Sequence, residues 1–221
     1  QESPQVETID QEAVRQFRLY LARRLNDNNE GLKRVTQNYY VIALRAFLRY
    51  LIKQYDIKTL APEKIDLPKT ESRSLKFLSR DQLWHLLNAM DVSKDEGLRD
   101  KTILEMLFST GLRVSELVKL NRDQLNFETK EIGIIGKGGR ARVVFLSDDA
   151  VLWLNRYLEK RQDDFRPLFI HYSGVVTEEN HGEKMRLTSR SVERILEKYV
   201  RKARIPVKAT PHTLRHTFAT D

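Results

Sequence analysis

Apolar residues recur at helical spacing along most of the chain. Val14, Phe17, Leu21 and Leu25 mark one helix face, preceded by residues before about Glu12 that carry Pro4 and no period and are expected to fray. The turn formers Asn26-Asp27-Asn28-Asn29-Glu30-Gly31 then break the pattern. Val35, Tyr39, Ile42, Ala43, Ala46, Phe47, Tyr50 and Leu51 predict a longer helix whose buried side is aromatic. Lys33 and Arg34 stand at its start, Arg45 and Arg49 on its other side, and Asp56 to Ala61 is expected to form a short third element.

Leu67 to Ser74 holds a proline and small polar residues without apolar period, which reads as a linker. The division expected is a small helical module over 1–66, a linker over 67–76 and a larger remainder over 77–221. Helical pattern resumes behind Ser79, a good N-cap, with Leu83, Leu86 and Leu87. It continues through Leu98, Ile103, Leu104, Leu107 and Phe108 to a stop at Gly111, and a short helix is expected from Val114 to Leu120. The period then changes. Glu131–Ile135 and Arg142–Leu146 are β-branched runs flanking Gly136-Lys137-Gly138-Gly139, a β-hairpin signature. A helix over Asp149 to Gln162, a brief strand at Leu168 to Tyr172 and a basic helix over Ser189 to Ala203 complete the pattern. The fold class expected is mainly α with a small β-sheet.

At the last helical stretch Thr210 suits the N-cap and Pro211 the first helical position, where a missing N–H costs nothing. His212 and Arg215, three apart, then project from one face. An imidazole beside a permanent guanidinium is suited to holding and protonating a phosphate oxyanion. Ser109-Thr110-Gly111-Leu112-Arg113 carries a second arginine just past a helix stop, and two such arginines can converge on one phosphate.

Charge supports that direction. Lysine and arginine total 39 against 31 acids, which suits a polyanionic partner without requiring one. Between Arg186 and Arg215 nine basic residues face two acids, and Arg186, Arg190, Arg194 and Lys198 recur every fourth position as a stripe. Such a stripe is either a solvated face or a nucleic-acid surface. The absence of cysteine excludes disulfides and thiol chemistry. No apolar run approaches a membrane span, and these absences favour the cytoplasm.

Rival chemistries fit poorly. The glycines at 136–139 fail the phosphate-loop pattern, with Glu131 where its first glycine belongs and Gly138 where Ser or Thr should bind magnesium. His212 and His216 have the spacing of two metal ligands, but no glutamate lies between them and Arg215 would repel a dication. His85, His171 and His181 have no carboxylate or histidine pattern around them. Glu116, three after Arg113, is either a plain intrahelical ion pair or the group that orients Arg113.

Thr110-Gly111-Leu112-Arg113-Val114-Ser115-Glu116-Leu117, the Gly136-Lys137-Gly138 turn and His212-Thr213-Leu214-Arg215-His216-Thr217-Phe218-Ala219-Thr220 resemble the motifs of the tyrosine recombinase (phage integrase) family, Xer-type members in particular. The resemblance covers nearly the whole chain. It implies an N-terminal SAM-like, helical core-binding domain followed by an α+β catalytic domain. It implies Arg113, Lys137, His212 and Arg215 as catalytic groups, with Glu116 and His216 supporting them and neither metal nor nucleotide cofactor. The activity implied is site-specific DNA cleavage and rejoining through a 3′-phosphotyrosyl link. The partner implied is a double-stranded recombination site, gripped by a clamp in which Lys33, Arg34, Arg45, Arg49, Arg140, Arg186, Arg190, Arg194 and Lys198 are candidate contacts. A homo- or hetero-tetramer on DNA, an activating translocase partner and a role in chromosome dimer resolution follow from the Xer likeness.

One part of the family pattern has no counterpart. The nucleophilic tyrosine lies beyond the His212–Thr220 motif in that family, Asp221 falls where many Xer-like members carry histidine, and Tyr157, Tyr172 and Tyr199 precede the motif. The expectation is a chain that stops before its nucleophile and binds DNA without cutting it. The alternatives are a mobile-element or phage integrase with the same chemistry, or a DNA-binding regulator on the same fold without catalysis.

Overall fold

A computed structural model describes residues 5–25, 29–67, 77–136, 139–173 and 179–220. The chain divides into two compact units, Gln1–Arg73 and Ser74–Asp221. Most of the expected linker, from Pro68 to Lys76, lies outside the described residues.

The first unit is built on α1 (Gln11–Arg23) and α2 (Arg34–Tyr55). Asp10 caps α1 by accepting the Ala13 N–H at 2.7 Å. The residues expected to fray instead form a 3-10 turn, Val6–Thr8, whose Val6 carbonyl accepts from Thr59 Oγ1 at 3.0 Å. The core joins Val14 and Leu21 of α1 to Val41 and Leu48 of α2 and to Ile65. This corrects the expected face of α2: Tyr39, Ile42, Phe47 and Tyr50 are exposed and the aliphatic side is buried. The helix is apolar on two sides, so periodicity alone had two solutions. The aliphatic side has no polar atom to satisfy, whereas the tyrosines keep their hydroxyls in water. Asp56 ends α2 in the left-handed region (φ 52°), and the expected third element is extended chain leading to a 3-10 turn at Pro62–Lys64.

The second unit is organised around α4 (Asp95–Thr110), with α3 (Arg80–Leu87) before it. Ser79 caps α3 in a reciprocal box with Gln82. Ile103, Leu104, Met106 and Leu107 of α4 are fully buried. Its buried charges are all paired: Asp100 takes Arg99 at 2.6 Å and the Tyr199 hydroxyl at 3.0 Å, and Lys101 meets Glu105 at 2.7 Å. Gly111 ends α4 with φ 58° and α5 (Val114–Leu117) follows, shorter than expected. β1 (Leu125–Asn126), β2 (Glu131–Ile135) and β3 (Ala141–Phe145) form an antiparallel sheet in that order, with Ile132 opposite Val144 and Ile134 opposite Arg142. The hairpin is where the pattern put it, and β1 was not foreseen. α6 (Asp148–Lys160), α7 (Ser189–Lys202) and α8 (Pro211–Thr220) pack against α4.

The strand expected at Leu168–Tyr172 is absent. Isolated bridges pair Pro167 with Asn121 and Ile170 with Arg186. The carbonyls of Pro167 and Leu168 are taken instead by the Arg161 guanidinium, at 2.9 and 2.8 Å, which stops a ladder from propagating.

Candidate active site

Arg113 is the N-cap of α5, held at the exit of the α4 stop. Glu116, at the third helical position, accepts the Arg113 backbone N–H at 2.9 Å and its Nη1 at 3.1 Å. The same carboxylate receives Arg142 of β3 through both guanidinium nitrogens, at 3.1 Å and 2.8 Å. Glu116 is thus neither a plain ion pair nor an orienter of Arg113 alone; it bridges two arginines. Burial alone would raise its pKa, but the bonds from Arg142 and Arg113 prevail and hold it at about 2. The Glu116 side chain is 8% exposed and that of Arg113 52%, so the carboxylate is an anchor and the Arg113 guanidinium faces outward. A cleft of about 500 Å³ runs beside them, lined by Arg113, Ser115, Glu116, Lys119, Gln124 and the β2 residues from Gly133.

Sequence reasoning missed Arg142. The signal was there: strand alternation sets Arg142 on the face of Val144, among apolar positions, where a charge needs a partner.

α8 supplies the other half. Thr210 and Thr213 cap one another reciprocally: Thr210 Oγ1 accepts the Thr213 N–H at 3.2 Å and Thr213 Oγ1 accepts the Thr210 N–H at 3.1 Å, and Pro211 takes the first helical position, as the sequence predicts. α8 packs along α4, and Phe218 lies directly against Gly111. This contact sets the α8 turn carrying Arg215, one turn before Phe218, next to the α4 stop that precedes Arg113. The structure records no bond between the two guanidiniums. Arg215 Nη1 is closed off from solvent and has no hydrogen-bond partner, and the Ser109 hydroxyl is in the same condition. His212 is exposed, with its ring 4.3 Å from that of His216, edge to face. Among the described residues no group of three or more His, Cys, Asp or Glu could hold a metal. Lys137, the tip lysine, lies outside the described residues. Its hairpin is closed by Gly136 N–H to the Arg140 carbonyl at 2.8 Å.

The pattern described as the phage integrase family matches residues 76–221. The chain belongs to the phage integrase family. It is similar to tyrosine recombinase XerC of Pelotomaculum thermopropionicum, 38% identical over 210 residues, 92% of this chain and 66% of that protein. It is similar to tyrosine recombinase XerD of Lacticaseibacillus casei, 36% identical over 198 residues, 89% of this chain and 66% of that protein. The chain therefore spans just under two thirds of the length of these curated relatives. Among solved structures it is similar to the Tn1549 transposon integrase in complex with a circular intermediate DNA, TM-score 0.73 at 18% identity, covering 99% of this chain and 74% of that one. The shared architecture is the mostly helical fold with a small sheet that the sequence predicts.

The basic residues of this phage integrase family member divide into two groups. Arg190, Arg194 and Lys198 stand exposed on α7, with Arg190 paired to Glu193 at 2.9 Å. Arg186 does not belong to their stripe. It precedes α7 and donates to the carbonyls of Val118 and Leu120 at 2.9 Å each, to Asn121 Oδ1 at 2.7 Å and to Glu183. Four-residue spacing aligned it with the others, but the helix starts at Ser189, as its pattern predicts, and Thr188 caps it two residues after Arg186. Arg140 is exposed at the foot of the hairpin. In the first unit Lys33 and Arg34 are exposed at the start of α2, Arg45 is half-buried, and Arg49 reaches Glu63 at 3.0 Å.

Tyr157 and Tyr199 are buried, and Tyr199 donates to Asp100. Burial raises the pKa of both hydroxyls, with the Asp100 charge adding to the effect at Tyr199. Burial also raises Tyr172. None of the three is presented as an activated nucleophile.

Proposed function

We propose that this chain is the DNA-binding and phosphate-activating body of a site-specific recombinase, with Arg113 and Arg215 gripping one backbone phosphate of duplex DNA. The observation that carries the reading is the seating of Phe218 on Gly111, which brings the two arginine motifs together although Arg113 and Arg215 are 102 positions apart in sequence.

In the reaction a tyrosine hydroxyl attacks phosphorus, the bond to the 5′ oxygen breaks, and a 3′-phosphotyrosyl link and a free 5′-hydroxyl result. The two guanidiniums spread the charge that builds on the phosphoryl oxygens. His212 takes the tyrosine proton and Lys137 donates one to the departing oxygen. The covalent link conserves the bond for rejoining. With its second-unit tyrosines buried or held in their protonated form, the 221-residue chain binds DNA and leaves it uncut. The names of its relatives support a Xer-type recombinase; to that reading we add, as our own proposal, a role in chromosome dimer resolution as a tetramer on DNA with a translocase partner.

A nicked suicide duplex tests this. The expected result is a gel shift and no covalent adduct from the 221-residue chain. In a recombinase carrying this segment together with its nucleophile, Lys137→Ala should abolish the adduct and keep the shift. An adduct from the shorter chain, or cleavage undiminished by Lys137→Ala, refutes the assignment. A DNA-binding regulator would lose nothing on that substitution.

A further inference from the structure

Arg142 reaches Glu116 from a different element than Arg113 does, and its position ties three parts of the site together. It sits on β3 opposite the buried Ile134, two residues after Arg140, whose carbonyl closes the hairpin tip. A Cβ at Gly136 would come within 2.8 Å of Arg142 Nη1 and 3.9 Å of Glu116 Oε1. The guanidinium is therefore wedged between the Glu116 carboxylate and the Gly136 backbone. Glycine at 136 is what makes room for it.

Charge counting says what this arrangement does. One carboxylate between two guanidiniums leaves the cluster one positive charge in excess. Both Glu116 oxygens are met twice, so the carboxylate holds Arg113 by its backbone N–H and a single Nη1. The other side-chain donors of Arg113 are left for an incoming anion. Without Arg142 the excess is zero, and a nearly buried carboxylate with half its donors gone would draw the Arg113 fork onto itself.

Resting on the recombinase reading, we infer that Arg142 is a positioning residue: it saturates Glu116 so that Arg113 stays free for phosphate. The expected signature is rescue by removing the partner. Arg142→Gln should weaken binding of a fluorescein-labelled mixed-sequence duplex by roughly fivefold, about the loss given by Arg113→Ala. Adding Glu116→Gln to Arg142→Gln should recover most of that loss, and should recover nothing in the Arg113→Ala background. A merely structural arginine would leave the double variant no better than Arg142→Gln, and that result overturns the inference.

Arg142→Met, which keeps the aliphatic stem, replaces Arg142→Gln if the latter does not fold. A readout independent of DNA separates this inference from the functional one. Carbon NMR of the Glu116 carboxyl should show it titrating above its native value in Arg142→Gln, with the Arg113 guanidinium resonances shifted. Unchanged Glu116 and Arg113 signals sink the positioning role even where DNA binds. Failure of the native chain to bind any duplex, with those signals moving as expected, sinks the recombinase reading alone.

Discussion

Phe218 occupies the space that a side chain at Gly111 would need. A Cβ on Gly111 would lie 2.6 Å from the ring edge, at a residue whose φ is 58°. Two penalties coincide there, the left-handed conformation and the clash with a neighbouring helix. Gly111→Ala should destabilise the second unit by about 2–3 kcal/mol, read by urea unfolding. Phe218→Ala alone removes a half-exposed ring and should cost less. The double variant should be more stable than the sum of the two losses, because the clash has lost one party. Additive losses would mean that the ring and the glycine do not meet.

Acid should act through Glu116. Its pKa is about 2 in the folded protein against an ordinary 4.5, so the folded form prefers the ion. That preference is fully present above pH 4.5, fades as pH falls through the interval and is gone below 2. Its size is on the order of 3 kcal/mol. Unfolding free energy measured from pH 5 to pH 2 should fall by that amount more in the native chain than in Glu116→Gln. Parallel curves would show that the carboxylate is not held by its two arginines.

Arg186 and its neighbours on α7 should separate cleanly. Replacing Arg190 and Arg194 together by alanine should lower the slope of log binding constant against log salt by close to 2 on duplex DNA, with little change in stability. Arg186→Ala should leave the slope alone and cost about 3 kcal/mol of folding energy, since it strips the Val118 and Leu120 carbonyls of their donor. A salt slope altered by Arg186→Ala would return that residue to the DNA surface.

Tyr199 should behave as a buried acid that never ionises in the native state. Its hydroxyl donates to Asp100, and burial with the Asp100 charge pushes its pKa up. Tyr199→Phe leaves Asp100 with Arg99 and should cost about 1–2 kcal/mol. In an alkaline absorbance titration the native chain should show fewer tyrosines ionising before unfolding than its total of eight. All eight titrating in the folded state would contradict the burial.

The legible parts of this protein were those in which local chemistry has one solution. Thr210-Pro211 admits a helix start and little else, and Gly111 after Thr110 a helix stop. Two β-branched runs around a glycine cluster admit a hairpin. What was not legible had two solutions or depended on distant chain. α2 offers two apolar faces, and only α1 and Ile65 decide between them. Arg186 keeps four-residue spacing with Arg190 although the pattern starts the helix at Ser189, and only distant chain, the Val118 and Leu120 carbonyls, turns it inward. Arg142 announced itself as a charge in an apolar register, but naming Glu116 as its partner required the hairpin to close over α5.

The first unit turns a stripe of Tyr39, Ile42, Phe47 and Tyr50 toward solvent while its core is built from the opposite side of the same helix. Those positions are therefore mutationally cheap: none of them holds the unit together, so polar replacements there spare its interior. The same oily strip makes residues 1–67, produced as a separate piece, prone to clump as concentration rises. Anyone wanting a well-behaved isolated module should begin with Phe47→Glu or Tyr39→Lys and leave Leu48 untouched.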